Sequence, residues 1–467
     1  MNAGELWRLS AAELQRRYSA GDLTPLAVAQ DCIARLDAVN PRINAVVARR
    51  DADFLREAAA ATARFAQRRA LSPLDGIPIT VKDSLYTMDQ ETTWGCPALR
   101  RHRSDHDELS VARARAAGAL ILGKTNVPEF ALEGYTSNPV FGTTRNPWDT
   151  QLTPGGSTGG GVAGLAAGIA PLAIGQDGGG SIRRPASHTG VVGLKPSLSA
   201  VPREHVLPSL LLDFEVIGPL ARTVADVRML FDVMRGPAAV DRSSLAAAHA
   251  NPRTAATSLR ILYVERLGDA PLDPQIAASV GQAVRRLAEL GHRVRTGPLP
   301  VDLDFYAEAW PQIGQIGLAQ LFDRQPTWAA QASSKYLEMA EKGRRLPAAR
   351  LWQIIEQVRQ LRRGSVALFE GTDLIVMPSA AALPWKAEES HPTHIDGHEV
   401  GPRGHAVYTG WVNAAGLPAL ALPCTPSREG LPIGMQLVGP YGADDMLLNI
   451  GAAYEAAHPW ADRWPAI

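Results

Sequence analysis

The chain has 467 residues and 47 lysines plus arginines against 47 aspartates plus glutamates, so its formal charge at neutral pH is zero. Such a balance sets up no global field for nucleic acid, an anionic membrane or an acidic substrate, and neither nucleic acid nor membrane is expected as a partner. Three cysteines, Cys32, Cys96 and Cys424, stand far apart with no CxxC spacing and no histidine cluster. That argues against a disulfide framework and against a structural metal site, and it fits a reducing cytoplasm.

The first residues, MNAGELWRLSAAELQRRYSAG, hold no basic segment ahead of an apolar run. No later stretch reaches the roughly eighteen uninterrupted apolar residues of a membrane span, so a cytoplasmic protein is expected. Ser10-Ala-Ala-Glu13 is a capping box, and Thr24-Pro25 opens a second helix with Leu26, Ala29, Ile33 and Leu36 at helical spacing. Asn40-Pro41 is expected to stop that helix, and residues 1–75 read as a helical wrapping. From Ile77 the pattern changes to short apolar runs bounded by Gly and Pro: IPITVK, ALILGK, PLAIGQ, then ILYV, DLIVMP, ALALPC and GMQLVG. These are strands buried on both faces, with helices between them.

The expected fold class is therefore α/β. One large domain is built on a mixed, mostly parallel-type twisted sheet with helices on both faces. Within it, 76–235 is the expected catalytic core and 371–467 the strands and helix that complete the sheet. Residues 236–370 are the variable part. Of these, 236–258 are Ala/Ser/Pro-rich and read as a surface connection. Residues 301–370 carry Phe305, Tyr306, Trp310, Trp328, Tyr336 and Trp352 on helical segments. They form either a cover for a site or ordinary helix core.

Three residues stand out chemically. Lys82 ends an apolar strand-like run beside Asp83, and burial there would bring its amine towards neutrality and make it a base; the alternative is a solvated lysine at a strand end. Ser181 follows three glycines, and the backbone of Gly178, Gly179, Gly180 and Ser181 can turn several N–H groups on one point. Each such donor to an oxyanion is worth about 3 kcal/mol of barrier. Ser157 opens a second glycine-rich turn and serves either as a helix cap or, with the other two, as a proton relay. His188, seven residues after Ser181, reads as structural. Gly118-Ala-Leu-Ile-Leu-Gly123-Lys124-Thr125 matches the phosphate-binding pattern GxxxxGK[ST]. Its apolar, strand-forming middle and the following Pro128 exclude that role.

Together these segments resemble the amidase signature family. The likeness runs from SAAELQRRYSAGDLTPLAV through LDGIPITVKDS, GALILGKTNVPEFAL, PGGSTGGGVAGLAAG, GQDGGGSIRRPAS and GVVGLKPS to AGLPALALPC and GLPIGMQLVGP. It is weakest over 236–370. The resemblance implies amide hydrolysis through a Ser–cis-Ser–Lys triad: Ser181 the nucleophile, Ser157 the bridging serine after a cis peptide, Lys82 the base. It implies no metal or organic cofactor and a small-molecule amide-type substrate. Esters, anilides and carbamates carry the same attacked carbonyl. It also implies pocket positions at Glu133, Tyr135, Thr136 and Gly156. Arg184, three residues after the nucleophile, is expected either to read a substrate carboxylate or to sit in an ion pair. His188 stands where relatives carry an aromatic residue, giving a more polar wall behind the nucleophile. Two rivals remain: the glutaminase component of a tRNA-dependent amidotransferase, and a non-catalytic ligand-binding descendant. A homodimer is the default assembly.

Overall fold

The computed structural model describes residues 5–204, 207–247 and 258–467. Its first helix, Ala11–Ala20, starts on Ser10, whose Oγ accepts from the Glu13 N–H at 3.1 Å. Asp226, from a distant helix, takes the next free donors, Ala11 N–H at 3.0 Å and Ala12 N–H at 2.9 Å. The second helix, Pro25–Ile43, runs through Pro41 instead of stopping there and ends on left-handed Asn44. The Asn40 side chain explains the overrun: its Oδ1 accepts from Ala45 and Val46 N–H, while its carbonyl accepts from Asn44 N–H, so the departing chain is satisfied one turn later.

Among the described residues eleven strands form one sheet. In chain order they are β1 (Val46–Arg49), β2 (Pro78–Lys82), β3 (Leu120–Thr125), β4 (Leu172–Asp177), β5 (Val192–Lys195) and β6 (Val216–Ala221). The rest are β7 (Arg260–Tyr263), β8 (Arg293–Thr296), β9 (Leu374–Pro378), β10 (Ala419–Pro423) and β11 (Gly434–Val438). Their spatial order is β1-β3-β2-β4-β6-β5-β10-β11-β9-β7-β8. Every residue of β2 to β6 and of β9 to β11 is buried, so both faces are covered, whereas the end strands β1 and β8 are partly exposed.

The sheet is mixed, as the apolar runs implied, but the expected parallel majority is not there. Parallel pairs occur on the flanks, β2 with β3 and β4, and β7 with β8 and β9. The central neighbours β4-β6-β5-β10-β11-β9 are all antiparallel. A fully apolar run reports burial on both faces and carries no direction. Direction comes from the connections, and β10 returns as β11 through a loop with no crossover helix.

Within the variable region, β7, the helix Pro274–Glu289 and β8 extend the sheet, and residues 248–257 of the expected connection lie outside the described residues. The helices Asp304–Arg324, Ser334–Arg344 and Ala348–Ala367 follow. Their aromatics divide. Tyr336 is buried edge-on to Phe130, Trp310 is buried and stacked on Phe214, and Trp352 lies 62% exposed.

Candidate active site

Strands β2 and β4 are parallel neighbours, so their carboxyl ends, Lys82 and Asp177, lie at one end of the sheet, where open α/β folds place ligands. Ser157 precedes the helix Gly159–Ala166, and Ser181 stands between β4 and the helix Arg183–Thr189. The Gly156–Ser157 peptide is cis.

Lys82 is 1% exposed, and its Nζ donates to Ser157 Oγ at 2.8 Å and to the Gln176 carbonyl at 3.1 Å. Burial pushes its amine from 10.5 down to about 7, against the opposing pull of Asp177 and Glu215. The same Gln176 carbonyl accepts from Thr158 Oγ1 at 3.2 Å, and Thr158 N–H donates to the Ser181 carbonyl at 3.2 Å. These bonds bind the end of β4 and the two serine turns into one buried unit. Ser157 and Ser181 are themselves 1% and 7% exposed.

Asp177 organises the turn that carries Ser181. Its Oδ1 accepts from Gly180 N–H at 2.6 Å and its Oδ2 from Ile182 N–H at 2.9 Å, while Arg183 pairs with it at 3.1 Å, both side chains being fully buried. Burial opposes its charge, but Arg183 and these donors hold the carboxyl well below the usual range. The other side of the Gly179–Gly180 peptide is gripped as well. The Gly179 carbonyl accepts from Thr409 Oγ1 at 2.8 Å and from Arg184 Nη1. Gly180 has φ +115°, and a Cβ there would lie 2.2 Å from Thr409 Oγ1, so the position admits no side chain.

The expected quartet of oxyanion donors is corrected by this arrangement. Gly180 N–H is taken by Asp177 Oδ1 at 2.6 Å, which removes it from the expected set of donors to a substrate oxygen.

The expected pocket residues fall into two groups. Thr136 Oγ1 donates to the Gly155 carbonyl at 2.8 Å, and a Cβ on Gly156 would lie 2.5 Å from the Tyr135 carbonyl, so both hold the Ser157 turn in place. Glu133 and Tyr135 are half-buried and share Lys335, whose Nζ donates to Glu133 Oε1 at 2.9 Å and Tyr135 Oη at 3.0 Å. Arg184 is buried, and among the described residues it makes no ion pair; its Nη1 also donates to Thr409 Oγ1 at 3.0 Å. His188 is buried against Trp385, its Nε2 at 3.1 Å from the Ala382 carbonyl. Burial brings its imidazole down to about 4, which keeps it neutral.

Lys124 of the rejected phosphate pattern lies buried in β3, its Nζ donating to Thr92 Oγ1 at 2.8 Å and to the Leu85 carbonyl. The residues that sequence reasoning missed, Thr409, Asn413 and Lys335, come from segments far along the chain. Asn413 Nδ2 donates to the Asp177 carbonyl at 2.9 Å, and Trp310 presses on Gly179.

The family model for Amidase matches residues 27–448. The chain belongs to the amidase signature family. It is 35% identical to a glutamyl-tRNA(Gln) amidotransferase component from Symbiobacterium thermophilum over 98% of this chain and 99% of that relative. With an acylamidase of Rhodococcus erythropolis it shares 31% identity over 100% of this chain and 99% of that one. Among solved structures, a bacterial aryl acylamidase of the amidase signature family superposes with a TM-score of 0.88 at 27% identity, covering 97% of both chains. The 6-aminohexanoate cyclic dimer hydrolase bound to its substrate gives 0.86 at 29% identity over 99% of both. This amidase signature protein is thus an amide-hydrolysing enzyme. Among the described residues no helix is long and apolar enough to cross a membrane.

Proposed function

We propose that this amidase signature enzyme cleaves the C–N acyl bond of a small or medium-sized amide through an acyl-enzyme on Ser181. The observation that carries the reading is the buried Lys82 amine, near pKa 7 and 2.8 Å from Ser157 Oγ. In its neutral form it takes the Ser157 proton while Ser157 takes that of Ser181. Ser181 Oγ then bonds to the carbonyl carbon, and the carbonyl oxygen gains its charge facing the N–H groups of Gly178, Gly179 and Ser181. Ser157 returns a proton to the leaving nitrogen as the C–N bond breaks. Water, deprotonated by the same relay, releases the acid and restores Ser181. Esters, anilides and carbamates differ only in the leaving group.

A second reading, a glutaminase component that works only within a tRNA-dependent amidotransferase, is favoured by the 35% identity to such a protein. One experiment separates the two. The chain alone is treated with a fluorophosphonate, mapped by peptide mass, and assayed on glutamine and on a panel of amides, anilides, esters and carbamates. A single adduct on Ser181, absent from Ser181→Ala, with turnover of panel members is the expected result. Absence of an adduct on folded protein, or turnover of glutamine only when the other amidotransferase components are added, would overturn the autonomous amidase in favour of the second reading.

A further inference from the structure

β4 lies between β2, which ends on Lys82, and β6, which Glu215 immediately precedes. The antiparallel register sets Gln176 opposite Ile217 and Asp177 opposite Val216, so Glu215 falls beside the first residue after β4. A Cβ on Gly178 would stand 3.1 Å from Glu215 Cγ. Gln176 bridges the two sides of its strand. Its carbonyl accepts from Lys82 Nζ at 3.1 Å, while its Oε1 accepts from Ser84 Oγ at 2.8 Å and its Nε2 donates to Glu215 Oε2 at 2.6 Å. Glu215 Oε2 also accepts from Arg203 Nη1 at 3.3 Å, and Glu215 Oε1 from the Leu210 N–H at 3.3 Å. The Glu215 and Arg203 side chains are only 10% and 9% exposed, so solvent and salt screen this ion pair little.

Several charges bear on the ammonium form of Lys82. Burial is the largest influence and disfavours it; Asp177 and then Glu215 favour it, and Arg184 and Arg203 oppose it. Asp83, next to Lys82 in the chain, faces Lys124 at 3.7 Å and accepts from Thr93 Oγ1. Arg203 also faces the buried Glu108. Of the two carboxylates that favour the ammonium, Asp177 pairs with Arg183 and holds the Ser181 turn, whereas Glu215 reaches the base through Gln176. A carboxylate near a buried amine stabilises its protonated form, and a guanidinium beside that carboxylate offsets the effect.

We propose that Glu215 is a positioning residue for the base, an inference that rests on Lys82 accepting the Ser157 proton. Its hydrogen bond holds Gln176, and with it the carbonyl that accepts from Lys82 Nζ. Its charge supports the ammonium that Lys82 becomes on taking that proton. Arg203 anchors the carboxylate and opposes it electrostatically, so the pair sets the pH above which the site is active.

The test is the rate of fluorophosphonate labelling of Ser181 against pH in the full chain and in two variants, Glu215→Gln and Arg203→Gln, each checked for native melting. Glutamine at 215 keeps an acceptor for Gln176 Nε2 and removes only the charge. The wild-type rate rises with pH through a midpoint at about 7. Glu215→Gln moves that midpoint down by about one pH unit, and Arg203→Gln moves it up. A merely structural role for the pair gives no such opposed shifts. Urea unfolding is a second readout that needs no labelling: relative to Lys82→Met, the pH at which stability begins to rise moves in the same two directions. A wild-type midpoint that neither substitution moves, or two shifts of the same sign, would overturn the role of Glu215 and leave Lys82 as the base. If Glu215→Gln does not melt as the native protein does, the sign of the Arg203→Gln shift decides, and an unmoved or lowered midpoint overturns the proposal. Flat pH dependence of the wild type in both measurements would overturn the base itself, and this role with it.

Discussion

Replacing Lys82 by methionine should destroy turnover and yet make the folded protein more stable at neutral and mildly acidic pH. The drop of the amine from 10.5 to about 7 corresponds, at about 1.4 kcal/mol per pH unit, to about 5 kcal/mol for keeping the ammonium form inside the fold. The sign follows from proton binding. Between the folded and unfolded values the unfolded chain holds more protons at this site, so the wild type gains stability as pH rises from 7 to 10.5. Below 7 the penalty is fully present; above 10.5 it is gone.

Methionine keeps the length of the side chain and carries no charge to bury. Against it stands the lost partner of Ser157 Oγ, about 1–3 kcal/mol; the Gln176 carbonyl still accepts from Thr158 Oγ1. The net gain is about 2–4 kcal/mol at about pH 6, and it shrinks by about 3 kcal/mol on going to about pH 9.5. Urea unfolding of both proteins at the two pH values measures it. In the wild type the same titration makes kcat/KM climb with pH to a plateau above about 7. A stability difference that does not change between the two pH values, or a wild-type rate that is flat through neutrality, would refute a buried lysine poised as base.

Two further substitutions probe the nucleophile turn. Arg184→Leu removes a donor from the Gly179 carbonyl, so kcat should fall by a similar factor on neutral and acidic amides with KM little changed; a rise in KM confined to acidic substrates would show instead that the guanidinium reads a carboxylate. Gly179→Ala would set a methyl 2.4 Å from Trp310 Cζ2. It should cost about 1–3 kcal/mol in thermal unfolding and lower kcat, and Trp310→Leu in the same chain should restore both, whereas a neutral Gly179→Ala would mean that the Trp310 ring yields.

What could be read without the fold was whatever is local. Lys82 ends an apolar run, Ser157 and Ser181 stand in glycine turns, and the strands beginning at Pro78, Leu120, Leu172, Leu374, Ala419 and Gly434 announce themselves as uninterrupted apolar runs between Gly and Pro. Helix ends were less legible, because Asn40 uses its side chain to carry a helix past Pro41. Strand direction was not legible at all, since a strand buried on both faces has no polar side to orient it.

The function of the turn at Ser181 shows why local reading stops there. Its glycines permit four N–H groups to converge, but which of them are free is settled by the partners of one peptide. Asp177, only three residues before Gly180, takes the Gly180 N–H, and that bond lies within reach of sequence reasoning as a side chain closing its own turn. The opposite end of that peptide is held by Thr409 across a separation of 230 residues. No periodicity or motif links 179 to 409; only the sheet, by placing β4 near the segment that leads into β10, brings them together. The geometry of this turn is therefore a tertiary property imposed on a permissive local sequence. A residue as remote as Thr409 thus helps fix the one peptide whose N–H Asp177 takes.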